Sequence, residues 1–280
     1  MNQQLSSTHE PVGPAATLDA SLCQARMPIG ASLRRFGVPA SADLLLTWYP
    51  DVGQLRAHAE FHAAKAGGAL AAARLVNDLV EQVDVRDRFP GGCVFVPVLA
   101  AEASGYNAIP PALAAVLARL SEGVSTDDIV QINRAFHTGG RAMERVAVRP
   151  LFAGEVRPGA RYVLVDDVTV MGSTVAELAN HILLCGGMVV GIAVIVYAGR
   201  TGSLVPHPAR VRMIEDRFGD AVQEALSLEP GALTADEAEY LLNFRCPDAL
   251  RDRVAAALRE RGTRLRARRT EAAPSAASGS

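Results

Sequence analysis

The chain has 280 residues, 49% of them hydrophobic and 21% charged, and a formal net charge of −2. That composition suffices for a full core, in one α/β domain with additions or in two small domains, and its near-neutral charge argues neither for nor against a polyanionic partner. The four cysteines, Cys23, Cys93, Cys185 and Cys246, lie too far apart for a disulfide frame or a zinc site and read as reduced thiols of a cytoplasmic protein. Of the 28 basic residues only Lys65 is a lysine, which we read as a sign of genome composition.

The first 28 residues are polar and rich in Ala, Ser and Pro, with no apolar core of a secretory signal, and residues 1–40 are expected to be mostly disordered. Asp43 to Tyr49 reads as an edge strand or a short extended piece, closed by Pro50. From Val52 to Val83 the apolar positions recur at helical intervals, and Gly67-Gly68 divides them into two helices. His58, Glu60 and His62 have a spacing that could hold a metal. The order is not that of zinc peptidases and no third ligand is near, so solvated or packing histidines are the better reading.

Gly91 to Val98 is a Gly-bounded apolar run and reads as a buried strand. A loop of small residues, Leu99 to Gly105, and a helix from Pro110 or Pro111 to about Leu120 follow it, an order that can cradle an anion. Asp127 to Ile132 reads as a third strand. Asn133 to Arg149 carries Arg134, His137, Arg141, Arg145 and Arg149 and reads as a flexible cationic flap.

The stretch Arg161 to Leu178, RYVLVDDVTVMGSTVAEL, is the most informative in the chain. Tyr162 to Val165 reads as a strand buried on both faces, ended by Asp166 and Asp167; Gly172, Ser173 and Thr174 then open a helix with Val175, Leu178 and Ile182 at its apolar spacing. A small-residue loop at a helix N-terminus offers unpaired N–H groups and the positive end of the helix dipole, a phosphate site. Two carboxylates cannot face that phosphate without repulsion, so they are suited to a neutral or cationic group such as vicinal ribose hydroxyls or a divalent metal. The uncharged segment Ile182 to Gly199 could pass for a membrane span, but Gly186-Gly187 splits it into a helix tail and a strand from Val189 to Tyr197.

Beyond Arg200 a linker from Gly202 to Pro208 leads to a helix from Ile214 to Leu226. Thr234 with Glu237 forms a capping box for a second helix, and Pro247 to Arg261 gives a third. These helices either dock on the α/β body or make a subunit contact, as in a homodimer. The basic run Arg261 to Arg269 reads as a solvated terminus rather than a nucleic-acid contact.

The motif VLVDDVTVMGST resembles the phosphoribosyl pyrophosphate (PRPP) motif of type I phosphoribosyltransferases. The resemblance covers about Cys93 to Tyr197, with weaker similarity back to about Leu44. VPV followed by Ser-Gly-Tyr-Asn is similar to the competence protein F branch of that superfamily, with Ser104 where that branch has arginine and Ala108 where it has glutamine. The resemblance implies an α/β fold, a mostly parallel sheet flanked by helices with a C-terminal helical extension, the ligand lying across the strand C-terminal ends. It implies that Asp166 and Asp167 hold the ribose, that Met171, Gly172, Ser173 and Thr174 hold the 5′-phosphate, and that Val98, Leu99, Ala100 and Ala101 form the pyrophosphate loop. Met171 stands where the family usually has threonine or another small residue. One or more of the four flap arginines is expected to meet the leaving pyrophosphate, Arg141 and Arg145, after Gly139-Gly140, being preferred although the sequence does not choose among the four. Mg²⁺ is the implied cofactor, reached by Asp166 and Asp167 only through ribose or water. The domain division expected is 1–40, 41–200 for the phosphoribosyltransferase-like domain, 201–262 for the helical extension and 263–280 for a disordered tail. The implied activity is transfer of a 5-phosphoribosyl group from PRPP to an unidentified nitrogenous acceptor, in a cytoplasmic enzyme with no membrane contact. The alternatives are a PRPP-binding regulator without turnover, as in purine-operon repressors, and an accessory protein of DNA uptake or mobile elements.

Overall fold

Alternate side chains of a strand point to opposite faces, so an unbroken apolar run becomes stable only when both faces are covered. In the computed structural model, which describes residues 33–42, 45–81, 88–102, 105–133 and 141–271, the run from Tyr162 meets that condition. Val163 and Val165 enter one apolar cluster, while Tyr162 and Leu164 enter a second on the other face. Each such fully buried aliphatic side chain contributes about 1.5–3 kcal/mol.

The elements in chain order are β1 (Leu45–Leu46), α1 (Val52–Ala57), α2 (Phe61–Lys65), α3 (Ala69–Val80), β2 (Val94–Pro97), β3 (Ala101–Glu102), β4 (Gly105–Tyr106) and α4 (Ile109–Leu120). They continue with β5 (Val124–Ser125), β6 (Val130–Gln131), α5 (Ala142–Ala147), β7 (Phe152–Ala153), β8 (Arg161–Thr169), α6 (Ser173–Leu184) and β9 (Met188–Tyr197). The C-terminal part holds α7 (Pro208–Phe218), α8 (Ala221–Leu226), α9 (Ala235–Leu241) and α10 (Pro247–Glu271). The main sheet runs β1-β9-β8-β2-β5 and every pairing in it is parallel. Helices α1 to α4 cover one face through Leu55, Leu75, Leu79, Ile109, Leu113 and Leu117. Helix α6 covers the other through Val175, Leu178 and Ile182. A third apolar cluster joins α7, α8, α9 and α10 with Met143 and Val146 of α5. The chain is therefore an α/β protein, a parallel sheet flanked by helices with a C-terminal helical extension, as its sequence implies.

Several sequence expectations are corrected. The 127–132 segment does not give a core strand: Val130–Gln131 pairs antiparallel with β7 in a separate ribbon, and the place beside β2 belongs to Val124–Ser125. Only two residues pair there, too few to show a period. Ala101 is not in an open loop, because β3 pairs antiparallel with β4. Helices are also more broken than their periodicity suggests. His58, whose ring faces Asp78 at 3.3 Å, interrupts α1 and α2, and Gly219, with φ +52, separates α7 from α8.

The expected break at Gly67-Gly68, the edge position of β1 and the capping box at Thr234 are all present. Ile182 to Gly199 divides into the end of α6, a turn at Gly186-Gly187 and β9. Among the described residues no helix is long and apolar enough to cross a membrane. Cys93 and Cys246 are free thiols, whereas Cys185 at the end of α6 is disulfide-bonded, against the expectation of four reduced thiols.

Candidate functional site

Strand β8 does not stop at the acidic pair. It stays in register with β9 through Asp166↔Val194 and Val168↔Val196 as far as Thr169, so both carboxylates lie within the strand's final turn of pleat and diverge. The ladder outlasts the apolar run because the neighbouring strand β9 remains available as a partner, a tertiary cause that the local pattern does not carry. Asp166 and Asp167 are buried, at 8% and 4% exposure.

Asp166 lines a cleft of about 80 Å³ together with Val168, Thr169, Val170, Met171, Gly172, Ser173, Thr174 and Arg145. Four sequence-predicted phosphate residues, one predicted ribose residue and one predicted flap arginine thus border one space. Gly172 caps α6 in the left-handed conformation, φ +74 and ψ 0, which turns the chain sharply from strand to helix. The first amides of that helix have no partner within it and point out of its N-terminus. The cleft is therefore bordered by Asp166, by the N-terminal turn of α6 and by Arg145.

Asp167 goes elsewhere. Its Oδ2 accepts from Lys65 Nζ at 2.7 Å, and its own backbone N–H donates to Asp166 Oδ1 at 2.8 Å. Burial, then the neighbouring Asp167 carboxylate, pushes the Asp166 carboxyl well above the ordinary carboxylate range; the Lys65 ammonium and the Asp167 N–H act in the opposite direction. A carboxyl that keeps its proton to higher pH when folded makes the folded state bind more protons than the unfolded one, so its contribution to stability falls as pH rises from the ordinary carboxylate range through the raised value. Asp166→Asn is accordingly expected to be more stable than the parent at neutral pH and to show a flatter stability profile above pH 4, as chemical denaturation across pH would show. An equal slope in the two proteins would contradict the assignment.

A buried charged network lies behind the loop. Ser173 Oγ donates to Glu237 Oε1 at 2.6 Å, and Thr234 Oγ1 donates to the Met171 carbonyl at 2.5 Å. The Thr234 N–H donates to Glu237 Oε2 at 2.8 Å, completing the capping box of α9. Arg34, fully buried, donates to Glu237 and to Glu177 Oε1 at 3.2 Å, and Arg149 grips Glu177 through Nε at 2.6 Å and an Nη at 2.9 Å. A second Arg149 Nη donates to the Ser227 carbonyl at 2.6 Å. The extension thus holds the loop from behind, and Arg149 is one of its struts rather than a flap residue.

The remaining expected residues separate. Arg141 is exposed and pairs with Glu260 of α10 at 3.0 Å, away from the cleft. Residues 142–147 form α5, whose Met143 and Val146 pack in the C-terminal cluster and whose Glu144 pairs with Arg264; this half of the expected flap is docked, since helix formation gives it an apolar face to bury. Arg134 and His137 lie outside the described residues. Val98 is buried and continues the ladder, its N–H donating to the Val165 carbonyl at 2.8 Å, and the Leu99 carbonyl accepts from the Gln131 N–H at 2.8 Å. Ala100 is half-buried. The 98–101 segment leaves the sheet at the same edge as Asp166, because Pro97 is paired with Val165, but it does not border the cleft.

Sequence reasoning missed Arg34, Glu177 and Lys65 as partners. Glu177 was visible as a lone carboxylate beside Val175 and Leu178 on an apolar helix, and such a residue needs a buried cation. Nothing local marks Arg34 as its partner 143 residues away.

No model of a known protein family matches the chain. Protein TraN of Escherichia coli is 38% identical over 232 residues, covering 79% of this chain and 51% of that protein. An uncharacterized protein of Haemophilus influenzae is 32% identical over 136 residues, covering 47% of this chain and 30% of its own length. The chain thus spans about half the length, or less, of the curated relatives it matches. Among solved structures, Leishmania donovani UMP synthase aligns at 17% identity over 49% of this chain and 24% of that chain, with a TM-score of 0.27. The purine phosphoribosyltransferase from Pyrococcus horikoshii Ot3 aligns at 16% identity over 57% and 88%, with a TM-score of 0.24.

Proposed function

We propose that this chain binds PRPP across the C-terminal rim of its sheet and transfers the 5-phosphoribosyl group to a nitrogen nucleophile, releasing pyrophosphate. The observation that carries the reading is the single cleft shared by Asp166, the 169–174 turn and Arg145. In this reading the amides of the turn and the α6 N-terminus take the 5′-phosphate, and Asp166 takes a ribose hydroxyl. The acceptor nitrogen forms the new bond to C1 while the C1–O bond to pyrophosphate breaks, the electron pair leaving on that oxygen and the acceptor proton passing to solvent. Charge accumulates on the departing oxygens, where Arg145 would lower the barrier. Residues 41–200 would form the ligand-binding domain and 201–262 the extension that steadies it.

Mg²⁺ is the cofactor that the sequence resemblance implies. The donor set at the doublet does not fit a metal held there, since Asp167 Oδ2 is taken by Lys65 and Asp166 Oδ1 by a backbone N–H. An ion complexed to the pyrophosphate would enter as part of the substrate.

Calorimetry with PRPP, followed by pyrophosphate release against a panel of nitrogenous bases, tests the proposal. Binding that falls up to about tenfold in Asp166→Asn, the value of one hydrogen bond, is expected. Absence of PRPP binding to the parent would remove the reading. The regulatory alternative is favoured by one observation: the hydroxyl of Ser173 is committed to Glu237 and Met171 supplies none, which leaves the turn poorer in donors. Binding without pyrophosphate release for any base would select it.

A further inference from the structure

The chain places arginine at every basic position but one, so charge alone does not account for Lys65. That lysine ends α2, with Nζ 2.7 Å from Asp167 Oδ2, a side chain 26% exposed and a partner carboxylate almost wholly buried. Helix α2 is fixed to the body, since Phe61 and Ala64 are buried in the core and the Ala64 carbonyl accepts from the Ala108 N–H at 3.1 Å. Lys65 therefore stands at the same rim of the sheet as the cleft. It lies between the acidic doublet and the 105–108 segment that follows the expected pyrophosphate loop. A guanidinium is a planar fork that seeks two acceptors, whereas an ammonium is a compact point charge. A single oxygen of a buried carboxylate suits the second. A small divalent cation would bind that oxygen at about 2.0–2.1 Å, within the volume the ammonium fills.

We propose that Lys65 is the built-in counter-ion of the Asp166–Asp167 doublet, its ammonium taking the place at Asp167 that a divalent cation would otherwise occupy, so that the site receives a phosphorylated sugar with no metal bridging to the doublet. The identity of that sugar rests on the function proposed above; the exclusion of the cation does not. The same charge restrains the rise of the Asp166 carboxyl.

Electron paramagnetic resonance with Mn²⁺ and the full chain tests the exclusion without any sugar ligand. Lys65→Met is expected to gain a Mn²⁺ site at least about tenfold tighter than any in the parent, and Lys65→Met with Asp167→Asn to lose it. A parent that itself takes one Mn²⁺, lost in Asp167→Asn, would overturn the inference, as would a folded Lys65→Met with no gain. Should Lys65→Met not fold, reductive ¹³C-methylation of the parent supplies the readout, since Lys65 is its sole side-chain amine. The methyl signal should stay sharp in Mn²⁺, and paramagnetic broadening of it would refute the assignment. Calorimetry with PRPP in EDTA and in MgCl₂ separates the two proposals. Parent affinities within about threefold of each other are expected, with a tenfold or larger loss for Lys65→Met in EDTA. Binding by the parent only in MgCl₂ sinks the inference and keeps the PRPP reading. No binding in either buffer, with the Mn²⁺ result intact, does the reverse.

Discussion

Replacing Glu177 by leucine is expected to lower the free energy of unfolding by about 3–5 kcal/mol, the cost of removing one partner from a buried ionic network. Glu177 receives three of the network's hydrogen bonds, one from Arg34 and two from Arg149, and all three side chains are almost completely buried. Without it Arg149 keeps only the carbonyls of Leu226 and Ser227, and Arg34 keeps Glu237 alone. Arg149 would then be left with neutral carbonyls as its partners in a low-dielectric interior. The attraction among the four charges offsets a desolvation cost of similar size, so the network adds little net stability while being expensive to break. Removing one charge of each sign should therefore cost less than removing one alone. Glu177→Leu combined with Arg149→Met is expected to recover part of the loss, measurable as the urea midpoint at constant slope. A single-variant cost below about 1 kcal/mol would mean that water reaches these groups and that the network is not a strut.

Substitution of Gly172 by alanine is expected to weaken PRPP binding by two orders of magnitude or more. The residue sits at φ +74, where a side chain costs about 1–2 kcal/mol, and a Cβ there would lie 2.5 Å from Leu204 Cδ2 and 3.2 Å from Thr234 Cγ2. Either the left-handed turn opens or Leu204 and Thr234 withdraw, and Thr234 holds the Met171 carbonyl. Both responses re-aim the amides at the start of α6. Two charge-assisted bonds of about 1.5–3 kcal/mol each are at stake, which sets the size of the loss. Leu204→Ala in the same chain relieves the contact and leaves the backbone strain. Recovery in the double variant would assign the defect to crowding, and persistence would assign it to the turn. Parental affinity in Gly172→Ala would show that the phosphate does not sit on this turn.

The parts of the fold that the sequence makes legible are those decided by local chemistry. The run from Tyr162, the left-handed turn at Gly172, the split at Gly67-Gly68 and the Thr234 capping box each follow from residues within one or two turns of chain. Residues decided by distant partners were not readable in this way. Asp167 looks like the twin of Asp166, yet the adjacent residue of a strand faces the other way and meets α2, 102 residues earlier. Arg149 looks like its neighbours in a basic segment, and only the position of Glu177 on α6 turns it inward. Val124–Ser125 was passed over because two residues cannot display a period, and their place in the sheet comes from β2. Helix α10 continues to Glu271, ten residues past its expected end, in a segment whose arginines conceal helical propensity behind charge.

The clamp behind the Gly172 turn has a consequence for the order in which the protein matures. Arg34, Ser173 and Glu177 leave the ribosome well before Glu237, so a nascent chain that has completed its sheet still lacks the carboxylate that receives both the Arg34 guanidinium and the Ser173 hydroxyl. The Gly172 turn is thus among the last features to set, and a translation product broken off after residue 200 would carry the sequence motif without the hydrogen bonds that hold it.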